Sequence, residues 1–417
     1  MKRSKILFIL PVFFAGLCLG AFTPNLSALQ EKVYKSLDLF TKVLYLVEKD
    51  YVEETDGEEL IYGAIKGMLG TLDPYSVFLT PDIYKELKVD TVGRFGGVGL
   101  EITLQQGILT VVSPIEDTPA ARAGIKPGDR ILKINGKSTK EMNLADAVRR
   151  MRGSKKSKVT LSLYREGVKK PFDVHLVREV IKIKSVKSEL LPSGILYVRI
   201  TNFQEHTYDE LLGVLKETEK KSGTVKGLVL DMRNNPGGLL DEAVSISDLF
   251  LKSGVIVSTQ GRQGVQEVHR ASPEGDFFEM PVVVLLNRGS ASASEIVAAA
   301  LRDNQRAKII GTKSFGKASV QTVIELGEGT GLKLTVAKYL TPHGKFISGT
   351  GIEPDFVVEN PEDEVPAFGM DSEKDLQRKA AISYLETGQV PPASAKSAET
   401  KEKEEVEEDF HSEEEVE

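Results

Sequence analysis

The sequence predicts an α/β protein built from several parts (α+β multidomain), and three observations carry that prediction. From 195 onward, short apolar runs alternate with helical stretches: "ILYVRI", a helix over 208–220, "GLVLDM", a helix over 239–251, "MPVVVLL" and a helix over 291–302. Such alternation describes a layered domain around a largely parallel sheet. Between 93 and 178 the pattern changes to brief alternating stretches broken by turn residues, a small strand-rich module set inside the longer chain. Ahead of it, Leu26, Leu29, Val33, Leu37, Phe40, Leu44 and Val47 recur every three or four residues, the stripe of an amphipathic helix.

Taken in order, residues 1–22 place Lys2, Arg3 and Lys5 before an apolar run from 6 to 22, the layout of an export signal. No clear small-residue cleavage site follows, so a cleaved signal and a retained membrane anchor both fit. The sole cysteine, Cys18, lies in this run, which excludes an intramolecular disulfide. Residues 23–92 form an N-terminal helical region, with a second helical patch over 60–72 ending at the turn "DPYS". The helix stripe packs on its own chain or forms the seam of a homo-oligomer.

In the strand-rich module, Thr118 to Ala123 read as a short helix, Pro127-Gly128-Asp129 as a turn into "RILKI", and Asn135-Gly136 as a tight hairpin. The stretches "GGVGLEI" and "AGIKPGDRILKINGKS" resemble the PDZ family. That resemblance implies that the loop Gly96, Gly97, Val98, Gly99 and Leu100 presents backbone N–H groups to the terminal carboxylate of a peptide, which adds a strand to the sheet edge. Glycines in a plain tight turn are the alternative.

The chain has 417 residues, 41% of them hydrophobic and 28% charged, which excludes a fibrous or wholly disordered protein. Its formal charge of -7 is concentrated in the tail over 399–417, where eleven acidic residues face two basic ones, and the rest carries +2. The tail reads as a solvated, disordered run after a weak helical patch over 374–385. A nearly neutral body gives no support for a nucleic-acid partner.

Chemistry concentrates at two strand ends. In "LVLDMRNNPGGLLDEA" a buried strand runs into Asn234-Asn235-Pro236-Gly237-Gly238, whose N–H groups can stabilise an anion at a helix start. In "VVVLLNRGSASASEIVAAALRDN" three serines alternate with alanines as a helix begins, an elbow that projects a nucleophile. Composition does not choose among Ser290, Ser292 and Ser294, and Ser292-x-x-Glu295 also fits a helix capping box. The histidines His175, His206, His269, His343 and His411 stand in no triad setting. Lys317 is the other candidate base, since burial lowers a lysine's pKa, and a surface lysine is the alternative. The stretch "GTKSFGK" around it imitates a phosphate loop, but Ala318 stands where such a loop needs a hydroxyl, and a strand follows instead of a helix.

Together "NRGSASASEI", "TKSFGKASVQ", "DMRNNPGG" and "LDPYSVFL" resemble the carboxyl-terminal processing peptidases, or tail-specific proteases, over about residues 35 to 358. The resemblance implies a ClpP/crotonase-like layered protease core over 179–358, an inserted PDZ domain over 93–178 and a C-terminal segment over 359–417. It implies Ser292 as nucleophile, Lys317 as general base and Gln321 as the residue orienting that lysine. Ala293 with Gly237 or Gly238 would form the oxyanion hole, and Asp303 would be auxiliary, eleven residues along the helix from Ser292. A strand after Gly316 would put Lys317 and Gln321 on one face.

No cofactor or metal is expected. The implied partners are proteins with apolar C-termini and an adaptor protein, and the implied location is the bacterial periplasm or the outer face of the cytoplasmic membrane. A catalytically inactive PDZ scaffold is the competing class, and the joint presence of Ser292, Lys317 and Gln321 argues against it.

Overall fold

The computed structural model describes residues 24–115, 117–223, 225–273, 277, 279–361, 365–369, 373–391 and 396–397. The export signal and the acidic tail lie outside the described residues. Among the described residues no helix is long and apolar enough to cross a membrane. The chain divides into two units, residues 1–78 and 79–417.

In the first unit, helix α1 (Pro24–Asp50) is followed by α2 (Gly57–Gly70), and the unit's last residues enter the short strand β1 (Val77–Leu79). Asp56 caps α2, its carboxylate accepting from the Glu58 N–H at 2.8 Å. Leu44 and Val47 are half-buried, but Val33, Leu37 and Phe40 are exposed in the single chain, together with Tyr34, Leu39, Val43, Tyr45 and Leu46. The apolar stripe is therefore only partly used within this chain.

The second unit opens with α3 (Pro81–Val92), which ends on Gly93 in the left-handed conformation. The inserted module follows on a two-stranded stem, β2 (Arg94–Gly97) paired antiparallel with β9 (Glu179–Lys182). Its body is an antiparallel sheet of β3 (Leu100–Gln105), β4 (Ile108–Pro114), β5 (Arg130–Ile134), β6 (Lys137–Ser138), β7 (Lys158–Tyr164) and β8 (Phe172–Val177). The strand order β3-β4-β5-β7-β8 leaves β3 at an edge. Helices α4 (Pro119–Arg122) and α5 (Leu144–Met151) accompany the sheet, whose core gathers Val98, Leu109, Ile131, Leu161 and Leu163. Arg178 is buried and donates to the carbonyls of Arg150, Met151 and Lys158, so its guanidinium satisfies the open C-terminal end of α5.

The larger sheet has the order β10 (Val186–Leu190), β11 (Ile195–Ile200), β12 (Gly227–Asp231), β15 (Val282–Leu286), β16 (Ala307–Gly311), β19 (Phe356–Val357) and β20 (Lys396–Ser397). From β11 to β19 every pairing is parallel. Helices α6 (Thr207–Ser222) and α8 (Ala293–Asp303) make the crossovers from β11 to β12 and from β15 to β16, and α7 (Leu240–Asp248) follows β12. Period-two alternation explains the unbroken apolar runs. Leu228, Leu230, Val282, Val284 and Leu286 face one core with α6, α7 and α8, while Val229, Val283 and Leu285 face a second.

That second core is closed by helix α9 (Leu376–Thr387), through Ala380 and Ala381, both 0% exposed. The described part of the C-terminal segment is thus built into the layered domain. A smaller sheet holds β13 (Val255–Gly261), β14 (Gly264–Arg270), β17 (Ser319–Gly327) and β18 (Thr330–Leu340), with β18 between β17 and β13 and β14 beyond β13.

A fully buried cluster ties α9 to the strand end. Arg233 bonds both oxygens of Asp231 and both of Asp375, the latter at 2.7 and 3.0 Å. Asp375 is the N-cap of α9, and Tyr197 and Arg199 also donate to Asp231. These charges hold the carboxyls of Asp231 and Asp375 below the ordinary carboxylate range, although burial alone would raise them.

Candidate active site

Two loops meet at the C-terminal ends of β12 and β15, and asparagines stitch them together. Asn287 Oδ1 accepts from the Asn234 N–H at 2.8 Å, and Asn287 Nδ2 donates to Asn234 Oδ1 at 2.7 Å. Two of the three serines complete the seam. Ser290 Oγ donates to the Met232 carbonyl at 2.8 Å and Ser294 Oγ to the Asn235 carbonyl at 3.0 Å, and both residues are 0% exposed. Their hydroxyls are consumed by structure. Ser292, half-buried between them, sits at φ 54° and ψ -114°, a strained position for a residue with a Cβ and typical of a nucleophile elbow.

Gly237 lies directly against this elbow. A Cβ there would come within 2.7 Å of Ser292 Cβ and 2.9 Å of Ala293 N, and its φ of +100° also favours glycine. Its own N–H is not available to a substrate, because it donates to Asn235 Oδ1 at 2.9 Å. The N–H of Gly238 differs. Gly238 forms a parallel bridge with Phe203 in which the neighbouring residues make the hydrogen bonds, Phe203 N to Gly237 O and Leu239 N to Phe203 O, so Gly238 N–H points away from that bridge. Ala293 is the first residue of α8, where helix N–H groups lack intrahelical acceptors. Of the expected oxyanion donors, Ala293 and Gly238 therefore have the suitable backbone, and Gly237 serves by its lack of a side chain.

Lys317 lies in the loop before β17, which begins at Ser319, so strand alternation does not extend back to it. Gln321 is in β17 beside a register irregularity, and its amide nitrogen donates to Ser319 Oγ at 2.6 Å. Lys317 is half-buried. Its pKa is lowered, first by burial and then by the charge of Lys333, while Glu295 acts in the opposite direction.

Glu295 joins the two halves of the site. It is 0% exposed, and its Oε2 accepts from the N–H of Ser292 at 2.8 Å and the N–H of Lys317 at 2.9 Å. Oε1 takes the N–H of Gly316 at 2.7 Å and the hydroxyl of Ser314 at 2.5 Å. The sequence signal for this residue was S-x-x-E. A cap reading finds half of its role, the acceptance from Ser292 N–H, and misses that one carboxylate spans 22 residues of chain to the lysine loop.

Asp303 is not part of this arrangement. Ser292 caps α8 and Asp303 ends it, and eleven residues of rise separate the two by about 16 Å along the axis. There it pairs with Arg302 at 2.9 Å and lines a cleft with His343, Phe346 and Ile352.

In the inserted module, Gly96 and Gly97 belong to the stem strand β2 and not to a free loop, pairing with Val180 and Glu179. Gly96 is also where the backbone of Gly153 approaches, since a Cβ would lie 2.1 Å from the Gly153 carbonyl oxygen. Val98 and Gly99 turn their carbonyls to the N–H groups of Ala120 and Ile115, and Leu100 starts the edge strand β3.

Comparison with known proteins identifies the family. Residues 194–358 match the model of peptidase family S41, 110–165 a PDZ domain, and 23–82 the activating protease CtpB N-terminal domain. The carboxy-terminal-processing protease of Bartonella bacilliformis is 45% identical over 364 residues, covering 87% of this chain and 84% of the relative. The carboxy-terminal processing protease CtpA of Bacillus subtilis is 39% identical, covering 87% and 79%. Among solved structures, the photosystem II D1 C-terminal processing protease is 32% identical with a TM-score of 0.45, covering 77% of this chain and 92% of that one. A strained serine elbow, a partly buried lysine and 45% and 39% identity to the two curated relatives, each over 87% of the chain, lead to one conclusion: the chain belongs to peptidase family S41 and is a serine-type endopeptidase with a peptide-binding PDZ domain.

Proposed function

We propose that this peptidase cleaves proteins it selects by their C-termini, with Ser292 as nucleophile and Lys317 as general base. The observation that carries the reading is the shared carboxylate of Glu295, which fixes the backbones of both residues while Lys317 loses solvent. Neutral Lys317 takes the Ser292 proton as the hydroxyl attacks the peptide carbonyl. The developing oxyanion is met by the N–H groups of Ala293 and Gly238. Protonated Lys317 then gives its proton to the leaving amine, an acyl-enzyme remains, and water activated by the same lysine releases it. Gln321, four residues beyond Lys317 and bonded to Ser319 Oγ, is assigned the role of orienting the lysine.

The edge strand β3 and the segment from Val98 to Leu100 accept the substrate's apolar C-terminus as an added strand beside α5. The export pattern of residues 1–22 supports a place in the periplasm or on the outer face of the cytoplasmic membrane, with the segment cleaved or kept as an anchor. The exposed stripe of α1 supports a homo-oligomer. The match of 23–82 to the N-terminal domain of an activating protease suits an adaptor or activating partner there.

The test is cleavage of a protein substrate ending in apolar residues. Ser292→Ala and Lys317→Ala should each abolish it, and survival of cleavage in both variants sinks the assignment. The pH dependence gives a second expected outcome. Because the base works in its neutral form, kcat/KM should rise with pH along a limb whose apparent pKa lies below the ordinary lysine value of 10.5. Lys333→Met removes a neighbouring positive charge, raises the Lys317 pKa and moves the limb to higher pH. A limb that stays in place, or moves to lower pH, contradicts this reading of Lys317.

A further inference from the structure

The Ser292–Lys317 reading gives no role to the buried phenol of Tyr339. Tyr339 in β18 is 1% exposed, and its phenol is enclosed by three acceptors. It makes a short hydrogen bond to the carbonyl oxygen of Lys317 and lies 3.3 Å from both the Ser292 carbonyl oxygen and Glu295 Oε2. Its backbone N–H also donates to the Ala318 carbonyl at 3.0 Å.

The arrangement is complementary to that of Glu295. One side chain receives the N–H groups of Ser292 and Lys317, and the other reaches the C=O groups of the same two residues. The two peptide groups flanking Lys317 are thus each bonded by a side chain, Glu295 at the N–H and Tyr339 at the C=O, and both side chains also lie against the backbone of Ser292. Burial and the adjacent Glu295 push the phenol well up, so it stays protonated and able to donate. Packing alone does not require the hydroxyl, because phenylalanine would fill the same apolar space; a buried hydroxyl is retained where its partners matter.

We infer that Tyr339 is a positioning residue for the Ser–Lys pair, its hydroxyl fixing the main chain of Lys317 against that of Ser292. This rests on the assignment of Ser292 as nucleophile and Lys317 as base. The lysine amine stands at the end of a long flexible stem, so a small rotation of its peptide groups displaces it from the serine hydroxyl. A misplacement of about 1 Å costs on the order of 100-fold in rate.

The experiment uses the full chain carrying Tyr339→Phe, with Ser292→Ala and Lys317→Ala beside it. Assays run well below each variant's own melting midpoint, and binding of an apolar C-terminal peptide to the PDZ domain reports a native fold. The expected result is a fall in kcat of about 100-fold with KM within about twofold, together with a shift of the ascending pH limb to higher pH as the lysine becomes less constrained and better hydrated. Tyr339→Leu, which also removes the ring, should show the same limb shift with an added loss of thermal stability. Wild-type kcat and pH limb in Tyr339→Phe overturn the inference, whatever happens to the melting point. An effect on KM alone overturns it as well. If Ser292→Ala and Lys317→Ala both retain cleavage, the catalytic assignment fails first, and that outcome is read from those variants and not from Tyr339.

Discussion

Glu295→Ala is expected to lose cleavage as deeply as Ser292→Ala, on the order of 1,000-fold or more, while still binding apolar peptide through the PDZ domain. The argument is one of shared support. Removing the carboxylate leaves the N–H groups of Ser292, Gly316 and Lys317 and the hydroxyl of Ser314 without their common acceptor. Buried donors left unsatisfied cost about 1–3 kcal/mol each, so the loops rearrange to find water or other partners. Any rearrangement separates base from nucleophile. Glu295→Gln should recover little, because an amide offers one acceptor oxygen where the site uses two, and it brings an N–H₂ among donors. Activity within about tenfold of wild type in Glu295→Ala would remove this carboxylate from the catalytic arrangement.

The second large effect concerns stability. Arg233→Ala should lower the unfolding free energy by about 3–5 kcal/mol, since it leaves Asp375 and part of Asp231 as buried charges without their cation. Denaturant titration measures it, and a loss below about 1 kcal/mol would mean the network relaxes at little cost. The pH sign follows from the lowered carboxyl values. In the wild type, Asp231 and Asp375 contribute stability that is fully present above the ordinary carboxylate value of 3.8, declines as pH falls below it and is lost once pH passes the lower folded value. Without Arg233 those carboxyls are no longer held as low, so the variant should begin to unfold at a higher pH on acidification.

Much of the layered core was legible because strands buried on both faces leave unbroken apolar runs, and "GLVLD" and "VVVLL" mark β12 and β15 directly. The serine elbow was legible as a pattern, but not which serine projects. That choice depends on Ser290 and Ser294 finding carbonyls on another loop, a tertiary fact with no local signature. Asp303 shows the limit of helical arithmetic: spacing fixes the face a residue shares, not its distance along the axis. Lys317 and Gln321 show the corresponding limit for strands, since alternation holds only inside the ladder and β17 starts two residues after the lysine. The role of α9 was hidden for a different reason. Its sequence is weakly patterned, and its place is set by Ala380 and Ala381 closing the second core and by Asp375 meeting an arginine 142 residues earlier.

The two-stranded stem has a consequence for how such a chain can change. Because β2 and β9 pair from Arg94↔Lys182 to Gly97↔Glu179, and Ile183 N–H closes on the Gly93 carbonyl, the entry and exit of the inserted module stand side by side. The peptidase therefore carries its reader as a cassette. Closing the same two ends with a short turn, or with a different reader, asks little more of loop-closure entropy than the present insertion does, because that entropy grows only slowly with the number of residues enclosed. Recognition and hydrolysis in this chain are consequently separable inheritances: the head can diversify while the cutting core is left untouched.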